Sequence, residues 1–259
     1  TSLIGTYEVF KESNALLLLK NSLLKDRNLY KQGSVLGRNY WGLGDYKLDD
    51  FDKFSERIVL SGTNWLSTHW AGIQVQWFDI SRPRKYDVSA MFQYPSVDTQ
   101  YEHGQNQSAH YDSHRKPVID VIDKLKCNVA KLENGRRVSL QEYQQRVYSS
   151  KIILAPFGYG EMAPRDLEAA MFGSILIKPD MSYIDTEPTV FIDGETYIAC
   201  KHDYSDLQEK VEMILGNTEK YHYIIHNARR KFEEQYSTEK IALHVYNIFK
   251  NLKGVGIDE

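Results

Sequence analysis

The residues whose types and spacing best suit chemistry lie in one stretch, residues 151–179. Arg165 and Glu168 are three positions apart on a predicted helix and therefore share a face. A guanidinium fork suits phosphate, and a carboxylate accepts hydrogen bonds from sugar hydroxyl groups. Gly158 and Gly160 lie in the turn before the helix, where backbone N–H groups and the helix dipole favour an anion. The pattern indicates a nucleoside diphosphate site, although an ordinary strand–turn–helix unit can carry the same short G-x-G.

The elements that would hold these residues follow from the same stretch. Residues 151–155 are apolar almost throughout, which is typical of a strand covered on both faces of a parallel sheet. Pro164 at the first helical position and Gly173 after the last predict a helix over 164–172. A second strand is predicted over 175–179. Because ligands of open α/β sheets bind at the carboxyl ends of the strands, the glycine turn is correctly placed for a site.

Two further basic residues, His114 and Arg115, begin a predicted helix over 114–126. A predicted strand over 86–92 and a long polar loop precede this helix. In a doubly wound sheet that loop opens at the same edge as the glycine turn, so both can meet one ligand. A solvated surface loop is the alternative interpretation.

Residues 156–188 resemble the donor site of GT-B glycosyltransferases, especially the exostosin-like group. The resemblance is carried by the run RDLEAA from Arg165, by Gly173 and by the strand that ends at Pro179. It implies an enzyme that moves a sugar from a nucleoside diphosphate, expected to be UDP, to a glycan hydroxyl group without a metal or other cofactor. UDP-xylose is one donor among several that the resemblance allows. The donor-binding set that we expect is His114, Arg115, Phe157, Gly158, Tyr159, Gly160, Glu161, Arg165, Glu168 and Tyr183.

The alternation of strands and helices after residue 85 predicts an α/β fold with a parallel, doubly wound sheet. Together with the resemblance, it predicts a compact GT-B fold of two Rossmann-like domains. A small, irregular acceptor-side domain would span 1–84, and a nucleotide-sugar donor domain would span 85–236. A C-terminal helix over 237–259 would cross back to the first domain.

The N-terminal domain is the less regular of the two. Residues 4–10 predict a strand, and residues 15–24 predict a helix. An inverting transfer needs a general base on the acceptor hydroxyl, and GT-B enzymes usually take it from this domain. The candidates are Asp45, His69 and Asp79, each with a purely structural role as the alternative.

Two other functional classes stay open at this point. Asp50 and Asp52 form the D-x-D pattern with which metal-dependent GT-A transferases hold a divalent cation, although a solvated acidic loop has the same pattern. The other class is a non-catalytic glycan- or nucleotide-binding protein. His110 and His114 are four apart, but Pro117 argues against a helix that spans both, so we predict no zinc site.

Composition sets further limits on partners. A net charge of −3 with 42% hydrophobic residues indicates a globular protein without general attraction to nucleic acid or anionic membranes. The leucine run at 16–19 is far shorter than the roughly 20 apolar residues of a membrane span. The two cysteines, Cys127 and Cys200, are far apart and favour reduced thiols in a cytoplasmic setting.

Overall fold

The computed structural model describes residues 6–32, 48–61, 77–94, 107–133, 136–158, 161–187, 189–235 and 238–252. Contacts divide the chain into two compact units. The first unit comprises Thr1–Ile73, Tyr183–Val190 and Phe232–Glu259, and the second comprises Gln74–Ser182 and Phe191–Lys231. The domain limits expected at residues 84 and 236 stay predictions.

The first unit is built from short elements. They are α1 (Thr6–Glu12), β1 (Leu18–Lys20), β2 (Ser22–Leu24), α2 (Phe51–Phe54), β3 (Ile58–Leu60), β8 (Ile184–Thr186) and α8 (Thr238–Leu252), with 3₁₀ turns at Arg27–Lys31 and Ser55–Arg57. Its core collects aromatic and aliphatic side chains from α1, α2 and the strands, including Tyr7, Phe10, Leu23 and Phe51. His244 of α8 lies 3.1 Å from the Leu60 carbonyl oxygen.

Two sequence expectations in this unit are wrong. The described part of the strand expected over 4–10 is the helix α1, and the helix expected over 15–24 is replaced by β1 and β2. β1 pairs in parallel with β3, and β2 pairs antiparallel with β8, whose residues lie about 160 positions later in the chain. Such distant backbone partners stabilise strands that local propensity does not reveal.

The second unit contains the regular α/β elements. They are β4 (Tyr86–Ala90), α3 (Gln107–Ile122), β5 (Val129–Lys131), α4 (Leu140–Tyr148), β6 (Ser150–Leu154), α5 (Pro164–Met171), β7 (Ile175–Pro179), β9 (Ile198–Cys200), α6 (Leu207–Gly216), a 3₁₀ turn at Thr218–Tyr221 and α7 (His222–Gln235), whose last residues belong to the first unit. Five strands form one sheet in the order β5-β4-β6-β7-β9, and every neighbouring pair is parallel.

Helices cover both faces of this sheet. On one face, alternate strand residues such as Ile152 and Ile177 form the main core with side chains of α3, α6 and α7. Ile153 and Leu176 are equally buried but lie on the other face, where α4 and α5 pack on the strands. The second unit is therefore an α/β domain with a five-stranded parallel sheet, compatible with a Rossmann-like fold, as the strand–helix rhythm predicts.

The boundaries around the glycine turn follow the sequence closely. α5 begins at Pro164, and Gly173 adopts a φ of +60° just beyond its end. The Ser139 hydroxyl caps α4 by accepting the Glu142 N–H at 3.1 Å. The helix expected over 114–126, with Pro117 arguing against an earlier start, is wrong in its bounds. α3 begins at Gln107 and continues through Pro117. Burial of Val118 and Ile122 in the core offsets the backbone hydrogen bond that proline cannot donate.

Three arginines at the amino-terminal edge of the sheet donate hydrogen bonds to backbone carbonyl groups. Arg82 and Arg84 donate to carbonyl oxygens at the end of α4 and in the turn after α5, among them those of Tyr148 and Gly173. Arg229 donates to the Ala170 oxygen at 2.8 Å and to the Phe78 oxygen at 2.6 Å. Cations at these positions satisfy the last carbonyl groups of the helices and the negative ends of their dipoles.

None of the helices in the described ranges combines the length and the apolar character that a membrane crossing requires.

Candidate functional site

The strand order predicts a ligand crevice at the carboxyl ends of β4 and β6. β4 is the first strand of this sheet along the chain, and it lies between β5 and β6. The chain therefore continues to β5 on one side of β4 and later returns to β6 on the other side. Such a switch point is where open α/β sheets bind ligands. Phe92 and Gln93 follow β4 there, and Phe157 and Gly158 follow β6.

Two arginines that are 50 positions apart in the sequence converge on this crevice. Arg115 of α3 donates from Nη1 to the Gln93 carbonyl oxygen at 2.8 Å. Arg165 of α5 holds its guanidinium carbon 5.9 Å from the centre of the Phe92 ring. Burial and then the proximity of Arg165 lower the pKa of Arg115 to about 10, so Arg115 stays charged at neutral pH. Two neighbouring cations favour an anion between or beside them.

Aromatic rings line the same edge. Phe157 is buried, and its ring centre lies 6.3 Å from that of His114 and 5.9 Å from that of His202. His202 follows β9, and its Nε2 lies 3.1 Å from the Asp180 carbonyl oxygen just after β7, whereas His114 lies on α3. The arrangement offers apolar and polarisable surface next to the two cations.

A buried lysine anchors the loop between β6 and α5. Lys178 of β7 donates from Nζ to the Glu161 carbonyl oxygen at 2.8 Å and to Asp166 Oδ2 at 2.7 Å. The same Asp166 oxygen accepts the Ala163 N–H at 2.9 Å, which closes the first turn of α5. One ammonium group therefore fixes both ends of the segment 161–166 that carries Arg165.

The Lys178–Asp166 pair is fully removed from solvent, with both side chains 0% exposed. Burial lowers the pKa of Lys178, and the Asp166 carboxylate opposes that shift. The ammonium group also lies 4.2 Å from the centre of the Phe191 ring, a cation–π contact in a dry environment. Asp166 Oδ1 is buried and accepts no hydrogen bond from the described residues.

Glu168 is oriented from the neighbouring helix. Tyr143 of α4 donates its hydroxyl to Glu168 Oε2 at 2.6 Å. Burial, opposed by Arg165 and reinforced by Glu168, raises the pKa of the Tyr143 phenol above its usual range, so the phenol stays protonated and remains a donor. Arg165, Glu168 and Tyr143 thus form one cluster on the α4–α5 side of the crevice.

The remaining predicted site residues fall either outside the described residues or outside the second unit's crevice. Tyr159, Gly160, Asp45 and His69 lie outside the described residues. Tyr183 belongs to the first unit, where it packs on the core, and its carbonyl oxygen accepts the Lys25 N–H at 2.9 Å.

Asp79 lies near the amino-terminal edge of the sheet, opposite the crevice. It accepts the Ser81 N–H at 2.9 Å as well as the Ser81 hydroxyl, and these two hydrogen bonds, in that order, lower its pKa. The local turn therefore accounts for Asp79 without any role in the crevice.

A cavity of about 660 Å³ occupies that amino-terminal edge, lined in part by Arg82, Arg84, Lys151 and His222. The guanidinium groups on its wall already donate to backbone carbonyl oxygens, and Lys151 pairs with Asp87 at 2.7 Å. Its cations are therefore engaged in holding the fold together, and we place the candidate site at the carboxyl edge.

Asp50 and Asp52 of the D-x-D pattern each form an ion pair with a lysine. Asp50 lies 2.8 Å from Lys11 Nζ and also accepts the Tyr7 hydroxyl, and Asp52 lies 2.5 Å from Lys31 Nζ. A divalent cation on these carboxylates would have to displace both lysines. Within the part of the chain that the structure describes, no group of three or more His, Cys, Asp or Glu residues is placed so that it could hold a metal ion.

Sequence reasoning missed Lys178, Asp166, Tyr143 and His202. The first had a visible signal, because a lysine in the middle of the buried strand ILIKP requires a buried partner. Tyr143 and His202 had none, since each reaches the site only through the packing of its own element.

No protein-family model matches the chain, and a comparison with curated proteins found no match. A functional assignment therefore rests on the residues and their geometry.

Proposed function

We propose that this protein is a glycosyltransferase that moves a sugar from a nucleoside diphosphate donor, with UDP as the nucleotide, to a glycan hydroxyl group. The observation that carries the proposal is the pair of charged guanidinium groups, Arg115 and Arg165, at the switch point of the parallel sheet. A diphosphate is the anion whose size and charge suit two such forks beside a helix N-terminus. The similarity of residues 156–188 to GT-B donor sites supports the same assignment.

The chemistry asked of these residues is electrostatic. The bond between the anomeric carbon and the diphosphate oxygen breaks, and the acceptor oxygen forms a bond to that carbon. Negative charge then grows on the departing diphosphate, where Arg115 and Arg165 stabilise it without a metal ion. The acceptor hydroxyl gives its proton to a base, for which Asp45 and His69 remain the candidates.

The proposed arrangement is that of a compact GT-B enzyme. The second unit would bind the donor, and the first unit would supply the acceptor side and the base. Phe157 with its two histidine neighbours offers a surface for the base or sugar of the donor. UDP-xylose is the first donor sugar to test.

A thermal-shift panel of nucleoside diphosphates and nucleotide sugars tests the donor assignment. A ligand at 100 times its Kd stabilises the folded state by about 2.7 kcal/mol. We expect UDP and UDP-sugars to raise the Tm equally with EDTA and with Mn²⁺. A shift that needs Mn²⁺ would favour the Asp50–Asp52 alternative, and no shift with any nucleotide would contradict the proposal.

The substitution Arg165→Ala tests the site itself. Because the charged hydrogen bonds that it removes are worth roughly 1.5–3 kcal/mol each, we expect the Kd for UDP, measured by calorimetry, to rise by about 10- to 100-fold. The loss of its contact with Phe92 costs only roughly 0.5–1 kcal/mol, so the fold should persist.

Arg137→Ala is the matched control, since Arg137 is exposed in the same unit. It should leave UDP binding unchanged. Equal UDP affinity in Arg165→Ala and the wild type would contradict the site. Release of UDP from UDP-xylose, with and without glycan acceptors, separates a transferase from a protein that only binds the nucleotide.

A further inference from the structure

We infer that Tyr143 is a positioning residue of the donor site, which holds the Glu168 carboxylate in the orientation that receives the ribose hydroxyl groups of the nucleotide. This inference rests on the proposed function and deepens it, because it assigns a role to a residue on a different helix from the predicted motif. The Tyr143 hydroxyl lies 2.6 Å from Glu168 Oε2, within good hydrogen-bond distance.

The contact is well suited to orienting a carboxylate. Glu168 has three rotatable side-chain bonds, and the short hydrogen bond from Tyr143 to one oxygen restricts that freedom. The carboxylate can only accept hydrogen bonds, so a fixed orientation determines which ligand hydroxyl groups it can receive. Vicinal hydroxyl groups, as in ribose, are the matching donors.

A phenol is a better holder here than a basic residue would be. It is a neutral donor, so it orients Glu168 without cancelling the negative charge that attracts hydroxyl donors. The Tyr143 phenol keeps its proton at neutral pH, because burial raises its pKa. Lysine or arginine in its place would pair with Glu168 and compete with the ligand.

The Tyr143 hydroxyl interacts with Arg165, at the phosphate end of the site, as well as with Glu168. Arg165 lies one helical turn before Glu168 on α5 and acts electrostatically on the Tyr143 phenol. A ligand whose diphosphate meets Arg165 therefore meets Glu168 at a distance set by one turn of α5, about 5 Å along the helix axis. A ribose adjoins the diphosphate in a nucleotide and fits that separation.

The substitution Tyr143→Phe tests the inference, because it removes one hydroxyl and keeps the ring. We measure Kd by calorimetry for UDP and for 2′,3′-dideoxy-UDP with the wild type, Tyr143→Phe and Glu168→Gln. Tyr143→Phe should weaken UDP binding by roughly 3- to 10-fold and should leave dideoxy-UDP binding equal to that of the wild type. With a UDP-sugar, the same loss should appear in KM and not in kcat.

Tyr148→Phe is the control, since Tyr148 lies on the same helix and its ring packs under Arg82 at the opposite edge of the sheet. It should bind both nucleotides as the wild type does. Circular dichroism of each variant at the assay temperature confirms that the folded protein is being compared.

Two results would overturn the inference alone. One is an equal loss for UDP and dideoxy-UDP in Tyr143→Phe, which would mean a general structural role. The other is wild-type affinity for UDP in Tyr143→Phe while Glu168→Gln loses affinity. Absence of UDP binding in the wild type would instead contradict the proposed function, and this inference with it.

Discussion

At the scale of single residues, the site depends on charges that the fold forces out of water. Lys178 and Asp166 are completely buried and neutralise each other beneath the loop between β6 and α5. A buried pair of this kind contributes less to stability than its short distance suggests, because both ions lose their hydration. Its value here is geometric, since the ammonium group fixes the Glu161 carbonyl and the first turn of α5 together.

The substitution Lys178→Met should therefore destabilise the protein by about 3–5 kcal/mol, because it leaves the Asp166 carboxylate buried without its counter-ion. Urea unfolding measures the effect. The double variant Lys178→Met with Asp166→Asn should recover much of the loss, since it removes both charges.

Lys116→Met is the matched control, because Lys116 and its partner Asp120 are both more than half exposed. That substitution should change stability little, since exposed pairs are screened by solvent. If Lys178→Met and the wild type had the same midpoint of urea unfolding, Asp166 would not need its cation for stability.

At the scale of elements, the turn after α5 is closely packed against neighbouring side chains. Gly173 has a φ of +60°, and a Cβ added there would lie 2.8 Å from Arg229 Nη2 and 3.1 Å from Ile80 Cγ1. Its carbonyl oxygen accepts a hydrogen bond from Arg84, so this turn also binds one of the arginines at the amino-terminal edge of the sheet. The position requires glycine for conformation and for space.

The pair Gly173→Ala and Gly194→Ala separates these two requirements. Gly194 has a φ of +71°, but no described atom lies within 4 Å of a Cβ built on it. Gly194→Ala should cost only the backbone strain, roughly 1–2 kcal/mol, whereas Gly173→Ala should cost clearly more because Arg229 must also move. Thermal unfolding compares them, and equal Tm values for the two variants would show that the arginines yield freely.

At the scale of the whole molecule, the net charge opposes the proposed ligand. The chain carries a formal charge of −3, so no general field draws a nucleoside diphosphate towards it. Attraction has to come from the local pair Arg115 and Arg165. Local attraction between partly exposed charges weakens as salt shortens the screening length from about 10 Å at 0.1 M to about 3 Å at 1 M.

UDP affinity should accordingly fall steadily between 50 mM and 500 mM NaCl, and the slope should be smaller in Arg165→Ala. Uridine, which lacks the phosphates, serves as the neutral probe and should show no such slope. Isothermal titration at four salt concentrations provides the measurement. A salt-independent Kd for UDP would place the diphosphate away from the arginines.

The elements whose signals are local could be predicted from the sequence. Pro164, Gly173 and the apolar runs on either side predicted the strand–turn–helix–strand unit, because caps and periodicity act over a few residues. The parallel α/β character of the second unit followed from the same patterns. β1 and β2 of the first unit did not follow from local patterns, because β2 exists only through its pairing with β8.

Which side chains meet in the candidate site depends on the tertiary fold. Arg115 and Arg165 come together because the order β5-β4-β6-β7-β9 brings the ends of β4 and β6 side by side. Lys178 finds Asp166, and Tyr143 finds Glu168, through the packing of neighbouring elements. No local pattern encodes these contacts, since each depends on strand order and helix packing, which arise from the burial of the whole core.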